Sequence, residues 1–310
     1  MPLQAGLIRN LSSRTIDAPI FIYPIPTTLL TLNTHNHDRD VAGLQYVYPV
    51  MSRRAGGLSI GINFNTDNAC NWRCIYCQVP NLQRGSAPEL DFALLEQELR
   101  FFLGLVKSGE FFAQFNIPRD LQVIKDIAIS GNGEPTSLKQ FDRAVRLIGE
   151  IATENGIFPD ANFVLISNGS LVHQASVQLG LRELARYGGE LWFKVDSATE
   201  AGRKLINNTG QSQQKLLQHL QIASRLCKTK LQTCVLRYRQ AWSEHEKQAY
   251  LTLLQELRKR EIVIAQVMLY SIARQSCQAE AAELVKAEKE ELDALAADIK
   301  TLGFDVSVNV

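Results

Sequence analysis

The sequence has 310 residues, of which 45% are hydrophobic and 21% are charged, so the chain is long and apolar enough to bury a large core. Its formal net charge is +1, and its acidic and basic residues are interspersed. No basic face therefore indicates a nucleic-acid partner, although this balance neither requires nor excludes binding to tRNA.

The first part of the chain contains one apolar stretch, over residues 18–32, which is interrupted by Pro19, Pro24 and Pro26. It falls short of the roughly 20 residues that a membrane-spanning helix needs. We therefore expect a soluble protein with no membrane contact.

Polar and charged residues dominate the segment that follows. His35 and His37 resemble metal ligands, but solvation is the favoured interpretation because a closed zinc site needs four ligands. Arg53 and Arg54 precede the first predicted strand, where a salt-bridged structural role and a functional role are equally supported.

From residue 58 onward, strand-like and helix-like segments alternate. Six apolar segments have the length and character of buried strands: 58–64, 126–130, 162–167, 191–195, 230–238 and 262–270. Helices are predicted between them: the first at about 91–106, the second beginning after residue 136 or 137, and the others at about 174–187, 212–227 and 244–260. Thr136 or Ser137 is predicted to cap the second of these helices, in which the apolar stripe is Phe141, Val145, Ile148 and Ile151.

This alternation predicts an α/β fold built from βα units around a parallel sheet. Six units fit an incomplete TIM-like barrel better than a closed eightfold one. A helix near 280–302 and a strand at 304–308 are predicted to cover an edge that would otherwise expose unpaired backbone groups. We expect an N-terminal extension at 1–50, a catalytic core at 51–275 and a C-terminal addition at 276–310.

Three cysteines lie within eight residues directly after the first predicted strand: Cys70, Cys74 and Cys77. Thiolates hold iron–sulfur clusters, in which each iron has one ligand position. Three local thiolates leave one iron of a four-iron cluster open to bind a substrate or cofactor. The triplet therefore indicates chemistry at the metal rather than electron transfer alone.

Other interpretations of the cysteines fit less well. A structural zinc site usually has two separated pairs of ligands, and no second pair lies near this triplet. Six cysteines in 310 residues are too sparse for a disulfide framework, and thiols that must stay reduced indicate the cytoplasm. Cys227, Cys234 and Cys277 are widely separated, so buried single thiols are favoured over an auxiliary cluster.

The Cys-x3-Cys-x2-Cys spacing, with Tyr76 before the last cysteine, resembles the signature of the radical S-adenosylmethionine (radical SAM) enzymes. Further segments resemble the subgroup of iron–sulfur oxidoreductases related to the wybutosine-synthesising tRNA enzymes: 52–54, 58–63, 74–78, 130–136, 167–171, 193–197 and 269–274. The resemblance spans residues 50 to 305, far more than a single short motif.

The resemblance implies a 4Fe-4S cluster on Cys70, Cys74 and Cys77, with S-adenosylmethionine (SAM) bound at its open iron. It assigns the segment Gly131, Asn132, Gly133 and Glu134 to SAM, with Glu134 taking the ammonium of the methionine moiety. An ordinary glycine turn before Pro135 is the alternative. Since motifs after parallel strands converge at one edge of the sheet, the SAM role is favoured.

Residues after the next strands are also candidate cofactor contacts. Ser167 and Asn168 suit ribose hydroxyls, although an Asn-Gly turn is the alternative. Lys194 and Asp196 share one side of their strand and either point toward SAM or substrate or form a solvated charged pair. Tyr76 is expected to pack against adenine or the cluster.

Three more residues have weaker assignments. Trp72, like Tyr76, either contacts adenine or the cluster or only shields the cysteine loop from solvent. Arg237 and Arg239 follow the fifth predicted strand and could hold a carboxylate or phosphate, so their role stays open.

The implied activity is reductive cleavage of SAM to a 5′-deoxyadenosyl radical, which removes hydrogen from an RNA nucleoside, a peptide or a small metabolite, in descending order. The related tRNA enzymes include some with a flavin domain that this chain lacks, so a flavodoxin or ferredoxin is the expected electron donor. Two alternatives stay open: an electron-transfer or redox-sensing protein that does not cleave SAM, and a zinc-dependent nucleic-acid-binding module.

Overall fold

The centre of the fold is a sheet of eight strands, seen in a computed structural model that describes residues 43–52, 56–239 and 241–309. Its strands, in spatial order, are β1 (Val47–Ser52), β2 (Gly57–Ile62), β5 (Ile124–Ile129), β6 (Asn162–Ser167), β7 (Glu190–Lys194), β8 (Lys228–Cys234), β10 (Gln266–Tyr270) and β12 (Val306–Asn309). Strand β1 is antiparallel to β2, and every later neighbour pair in this sheet is parallel. The sheet curls into part of a barrel, as predicted.

Helices lie between the parallel strands. They are α1 (Phe92–Ser108), α2 (Glu110–Gln114), α3 (Phe141–Glu154), α4 (Ala175–Arg186), α5 (Glu200–Asn207), α6 (Gln213–Leu226), α7 (Glu244–Lys259) and α8 (Lys289–Thr301). Two short pairs complete the strands: β3 (Ala69–Cys70) with β4 (Gln83–Arg84), and β9 (Leu236–Arg237) with β11 (Val285–Lys286).

The six predicted strands are confirmed as β2, β5, β6, β7, β8 and β10. They contain fully buried side chains such as Ile60, Leu165 and Leu269. Continuous apolar runs are typical of strands covered on both faces, which is why the sequence pattern predicted them. The last two predictions ran too long, since β8 ends at Cys234 and β10 begins at Gln266.

The prediction that Thr136 or Ser137 caps the second predicted helix, which is α3 in the structure, is wrong. Both residues belong to a 3₁₀ turn at Pro135–Ser137, and α3 begins later, after Gln140. The reason is local: the Thr136 hydroxyl donates to the Glu134 carboxylate at 2.5 Å, and the Ser137 hydroxyl donates to the Glu134 carbonyl at 2.7 Å. Both hydroxyls turn back toward Glu134 and are not available to the helix.

The C-terminal segment covers the sheet edge, as expected, but its helix begins later than predicted. Strand β12 pairs with β10 and extends the sheet, and α8 packs beside it. The helix begins at Lys289 rather than near residue 280, because Ala281–Glu283 form a 3₁₀ turn and β11 pairs with β9. The domain boundaries at residues 50 and 275 stay predictions.

Several sequence predictions lie outside the described residues: the apolar stretch at 18–32, His35, His37, Arg53 and Arg54. Within the described ranges, no helix combines the length and apolarity needed to cross a bilayer.

Candidate active site

The three clustered cysteines lie on one loop, residues 65–80, which follows β2 and which we call the cysteine loop. Cys70 ends the short strand β3, and its carbonyl accepts a 3.1 Å hydrogen bond from the Gly85 N–H. Cys77 donates its N–H to the Cys74 carbonyl at 3.0 Å, which closes a turn between them. All three residues are half-buried. The loop therefore presents three thiols at the carboxyl end of the sheet, where sites form in parallel folds.

Burial controls the protonation of these thiols. Burial raises the pKa of both Cys70 and Cys74 to about 12, and nearby acidic groups, Glu134 and Asp196 respectively, add to the effect. Without a metal these groups are neutral thiols, and a metal that binds them must displace the protons.

The donor set fits a cluster. Among the residues that the structure describes, no three His, Cys, Asp or Glu side chains are placed to hold a single metal ion. A four-iron cluster binds each cysteine through a different iron, so its ligands do not have to converge on one point. Three sulfur donors on one loop suit such a cluster.

The C-terminal end of α5 holds the cysteine loop from one side. The carbonyls of Ile206 and Asn207 accept the N–H groups of Ile75 at 2.8 Å and Arg73 at 3.3 Å. Asn208, in the left-handed conformation at φ 51°, donates its side-chain amide to the Arg73 carbonyl at 2.8 Å. The last carbonyls of the helix, which lack partners inside a helix, are thus satisfied by the loop.

The Asn207 side chain also reaches a cysteine. Its Nδ2 lies 3.2 Å from Sγ of Cys74 and 2.7 Å from Oδ2 of Asp196. The residue is only 1% exposed, and its Oδ1 has no hydrogen-bond partner within the described part of the chain. Neither α5 nor Asn207 was predicted from the sequence.

Asp196, a predicted cofactor contact, is a buried junction between protein groups. Its Oδ2 accepts the hydroxyl of Tyr76 as well as the Asn207 amide. Its Oδ1 accepts the Cys234 N–H at 3.0 Å and lies 3.7 Å from Nζ of Lys194. The carboxylate therefore links the cysteine loop to β7 and β8.

Lys194 lies between two aromatic rings with its side chain 16% exposed, beside the fully buried Asp196 side chain, so the interpretation as a solvated charged pair is wrong. Its Nζ lies 5.1 Å from the ring centre of Tyr76 and 5.3 Å from that of Tyr270, and donates to the Tyr270 hydroxyl at 2.8 Å. Burial alone would lower the pKa of Lys194, but the carboxylate of Asp196 outweighs it and raises the pKa. Lys194 is therefore a cation inside the barrel.

Glu134 lies beside the cysteine loop, after β5, and is 2% exposed. Its Oε1 accepts hydrogen bonds from Thr136 and from the Ser167 hydroxyl at 2.6 Å, and its Oε2 accepts the Asn168 N–H at 2.7 Å. Burial raises the pKa of Glu134, and these donors oppose that shift. The end of β6 thus orients the carboxylate.

Two glycines let the segment after β5 approach the end of β2 and the cysteine loop. A Cβ on Gly133 would lie 2.0 Å from the Ala69 carbonyl oxygen, and one on Gly131, whose φ is 155°, would lie 2.2 Å from Oδ1 of Asn63. A side chain at position 133 would push the cysteine loop away, and one at position 131 would displace Asn63, which directly follows β2.

Two predicted cofactor contacts hold the loop with their side chains. Asn132 donates to the Asn68 amide oxygen at 2.6 Å, and Asn168 donates to that of Asn71 at 2.9 Å. The predicted SAM segments and the cysteine loop therefore form one connected site.

A C-terminal segment, residues 276–280, contacts the other side of the cysteine loop and was missed by sequence reasoning. The Ser276 hydroxyl donates to the Ile75 carbonyl at 2.7 Å, and the Cys277 N–H donates to the Cys77 carbonyl at 2.9 Å. Glu280 forms an ion pair with Arg73.

The remaining candidates lie elsewhere or have other partners. Arg237 and Arg239 are mostly exposed and pair with Glu291 and Glu283. Trp72 is buried at 5% exposure. The other cysteines do not gather into a second cluster among the described residues: Cys227 and Cys234 are buried, Cys277 is exposed, and the Sγ of Cys277 donates to the Gln78 carbonyl.

A family model and two solved structures match the chain. The model of the radical SAM superfamily matches residues 64–247. A structure of TYW1 with a lysine–pyruvate adduct bound superposes with a TM-score of 0.50 at 16% identity, covering 80% of this chain and 74% of that chain. A structure of anSMEcpe with bound AdoMet and the Cp18Cys peptide gives 0.50 at 13% identity, covering 81% and 62%.

At these identities the two structures show a shared fold, the partial barrel. None of the curated proteins compared with the sequence matches it.

Proposed function

The chain belongs to the radical SAM superfamily, an enzyme family whose model matches more than half of its residues, and from this premise we propose how its site works. We propose that Cys70, Cys74 and Cys77 hold a 4Fe-4S cluster and that SAM binds at the iron they leave open. The observation that carries the proposal is the contact between the cysteine loop and the segments after β5 and β6, where Asn132 and Asn168 donate to Asn68 and Asn71 beside the buried Glu134.

With a reduced cluster held by Cys70, Cys74 and Cys77, SAM would supply a 5′-deoxyadenosyl radical for hydrogen abstraction from a substrate carbon. The chain contributes binding, orientation and exclusion of water, since a cofactor of this kind carries the difficult chemistry.

Glu134 is proposed to take the ammonium of the methionine moiety through Oε2, which accepts one hydrogen bond from the protein and has capacity for another. Ser167 and Asn168 support this role by orienting the carboxylate with their hydroxyl and backbone N–H. Gly131, Asn132 and Gly133 are proposed to line the cofactor site. The absence of Cβ atoms at the two glycines lets this segment lie against Asn63 and Ala69, beside the cysteine loop.

Tyr76 and Asp196 are proposed to act behind the cofactor. Their hydrogen bond joins the cysteine loop to the barrel interior, and Lys194 balances the charge of Asp196 there. These contacts favour a positioning role for both residues over the direct contact with SAM that the sequence predicted.

The substrate is proposed to be an RNA nucleoside, with a peptide or a small metabolite as alternatives in that order. This ranking rests on the resemblance to the wybutosine-synthesising enzymes. The enzyme needs a one-electron reductant, for which a flavodoxin or ferredoxin is the proposed source.

Product analysis tests the proposal. The chain is reconstituted anaerobically with iron and sulfide and then mixed with SAM and dithionite. We expect 5′-deoxyadenosine and methionine in equal amounts. A cluster that is reduced and reoxidised without cleaving SAM would instead support an electron-transfer protein, and a chain that binds zinc and refuses iron would support the zinc module.

Bulk tRNA, a peptide mixture and a metabolite extract can then be added separately. We expect tRNA to raise the rate of 5′-deoxyadenosine formation above the uncoupled rate. Stimulation by one of the other two pools alone would overturn the ranking of substrates.

A further inference from the structure

One side-chain amide of the site has a role that the signature motifs do not assign. Asn207 lies at the end of α5 with Nδ2 within 3.2 Å of the Cys74 sulfur and 2.7 Å of the Asp196 carboxylate. An amide NH₂ group has two hydrogens, so each of these two acceptors receives one.

The orientation of this amide is fixed by Asp196. If the amide were rotated by half a turn, its oxygen would face the carboxylate oxygen and the two would repel. Asp196 itself cannot turn away freely, since the Tyr76 hydroxyl and the Cys234 N–H hold its two oxygens. The Asn207 N–H is therefore held against the sulfur of Cys74.

Backbone donors near Cys74 have other partners. The N–H of Arg73 donates to the Asn207 carbonyl, and the N–H of Ile75 donates to the Ile206 carbonyl. Neither of these two groups is directed at the sulfur, so the side chain of Asn207 supplies the hydrogen bond instead.

We propose that Asn207 is a positioning residue that sets the reduction potential of the cluster by donating a hydrogen bond to the Cys74 thiolate. The inference rests on the proposed cluster site. Reduction adds negative charge to the cluster and its sulfur ligands, and an N–H dipole aimed at sulfur stabilises that charge. Asn207 therefore raises the potential and makes the cluster easier to reduce.

A redox titration of the reconstituted cluster tests this role independently of catalysis. It is monitored by electron paramagnetic resonance (EPR) in the absence of SAM. We expect the midpoint potential of Asn207→Leu to shift to a more negative value, by more than the error of the titration. Asn207→Ser, whose shorter side chain cannot span both acceptors, should shift in the same direction. Iron and sulfide are counted in every sample, so that only fully loaded clusters are compared.

Asn208→Gly is the matched control. It removes a side-chain hydrogen bond to the same loop and does not touch the sulfur, so its potential should equal that of the wild type. Unchanged potentials in fully loaded Asn207→Leu and Asn207→Ser would overturn the inference. Failure of both variants to assemble the cluster would also overturn it, because Asn207 would then be an assembly residue. Failure of the wild type to assemble a four-iron cluster would reject the proposed function instead.

Discussion

Arg73 and Glu280, 207 positions apart in the sequence, form two parallel hydrogen bonds of 2.9 and 2.5 Å between guanidinium and carboxylate. Arg73 lies between two of the clustered cysteines, and Glu280 lies on the segment that leads from β10 to α8. The pair therefore ties the cysteine loop to the C-terminal part of the chain.

We predict that Glu280→Gln loosens the cysteine loop with little effect on global stability. The two side chains are 33% and 16% exposed, so the pair contributes about 1 kcal/mol or less. The rate of iron loss to a chelator, monitored as the decay of cluster absorption, should increase up to about fivefold. Glu283→Gln, which breaks the exposed pair with Arg239, is the control and should leave the rate unchanged. An unchanged rate in Glu280→Gln would show that the other loop contacts suffice.

The cysteine assignment predicts a sharp contrast between cysteines. Replacing Cys70, Cys74 or Cys77 with Ala should reduce bound iron well below the roughly four atoms of a full cluster, because each thiolate holds one iron. Cys277→Ala should keep full iron content, although its N–H contacts the same loop. Iron and acid-labile sulfide analysis measures both. A fully loaded cluster in any of the three variants would remove that residue from the ligand set.

Close packing at Gly133 predicts a defect in the cluster site. A Cβ there would lie 2.0 Å from the carbonyl oxygen of Ala69, which is backbone and cannot rotate away. Gly133→Ala should displace the cysteine loop, lower iron content severalfold and destabilise the chain by about 1–3 kcal/mol. Gly210→Ala has open space within 4 Å of its Cβ and should match the wild type. Equal iron content in both variants would mean that the loop adapts without cost.

Glu134→Gln separates SAM binding from cluster assembly. Loss of the carboxylate charge should weaken SAM binding at least about tenfold, or about 1.4 kcal/mol, while iron content stays at the wild-type level. Glu190→Gln is the control, because Glu190 is also buried, at 6% exposure, but lies at the opposite end of its strand. Anaerobic equilibrium dialysis measures the affinity. Wild-type affinity in Glu134→Gln would exclude this residue from the SAM site.

The burial of His219 should make the stability of the protein depend on pH. Burial lowers the pKa of His219 to about 4, and the neighbouring His173 and Lys215 add to the effect. Between its unfolded pKa near 6.5 and about pH 4, the unfolded chain binds a proton that the folded chain does not. Stability is therefore lost as the pH falls through this window, by an amount on the order of 2 kcal/mol.

His219→Gln should remove this contribution. The free energy of unfolding in urea is measured for the variant and the wild type at pH 7 and at pH 4.5. The wild type should lose more stability between these two pH values than the variant. The same loss of stability on acidification in both proteins would show that His219 does not report the transition.

The main elements of the fold could be predicted because most of them are continuous apolar runs or regular helical stripes. Strand β1 was missed because Pro49 argues against a strand, and an edge position beside β2 is where a strand tolerates proline. Helix α5 was missed because it has eight residues with Gly202 inside, too few for a periodic pattern. Its only local signal is the Thr199 cap, which accepts the Gly202 N–H.

The candidate site could be predicted only where residues form a local motif. The cysteines and the segment with Glu134 are such motifs. Asn207 and Glu280 reach the same site through tertiary packing, and nothing in the residues beside them indicates it. The hydrogen bond that Lys194 donates to Tyr270, 76 positions away, likewise depends on tertiary packing.

The most direct test of the account is whether SAM binds the cluster itself. The EPR spectrum of the reduced, reconstituted wild type is recorded before and after SAM is added. We expect a change in the g-values, because SAM would bind at the iron that Cys70, Cys74 and Cys77 leave open, and a smaller change in Glu134→Gln at the same SAM concentration. An unchanged spectrum at saturating SAM would contradict the central claim.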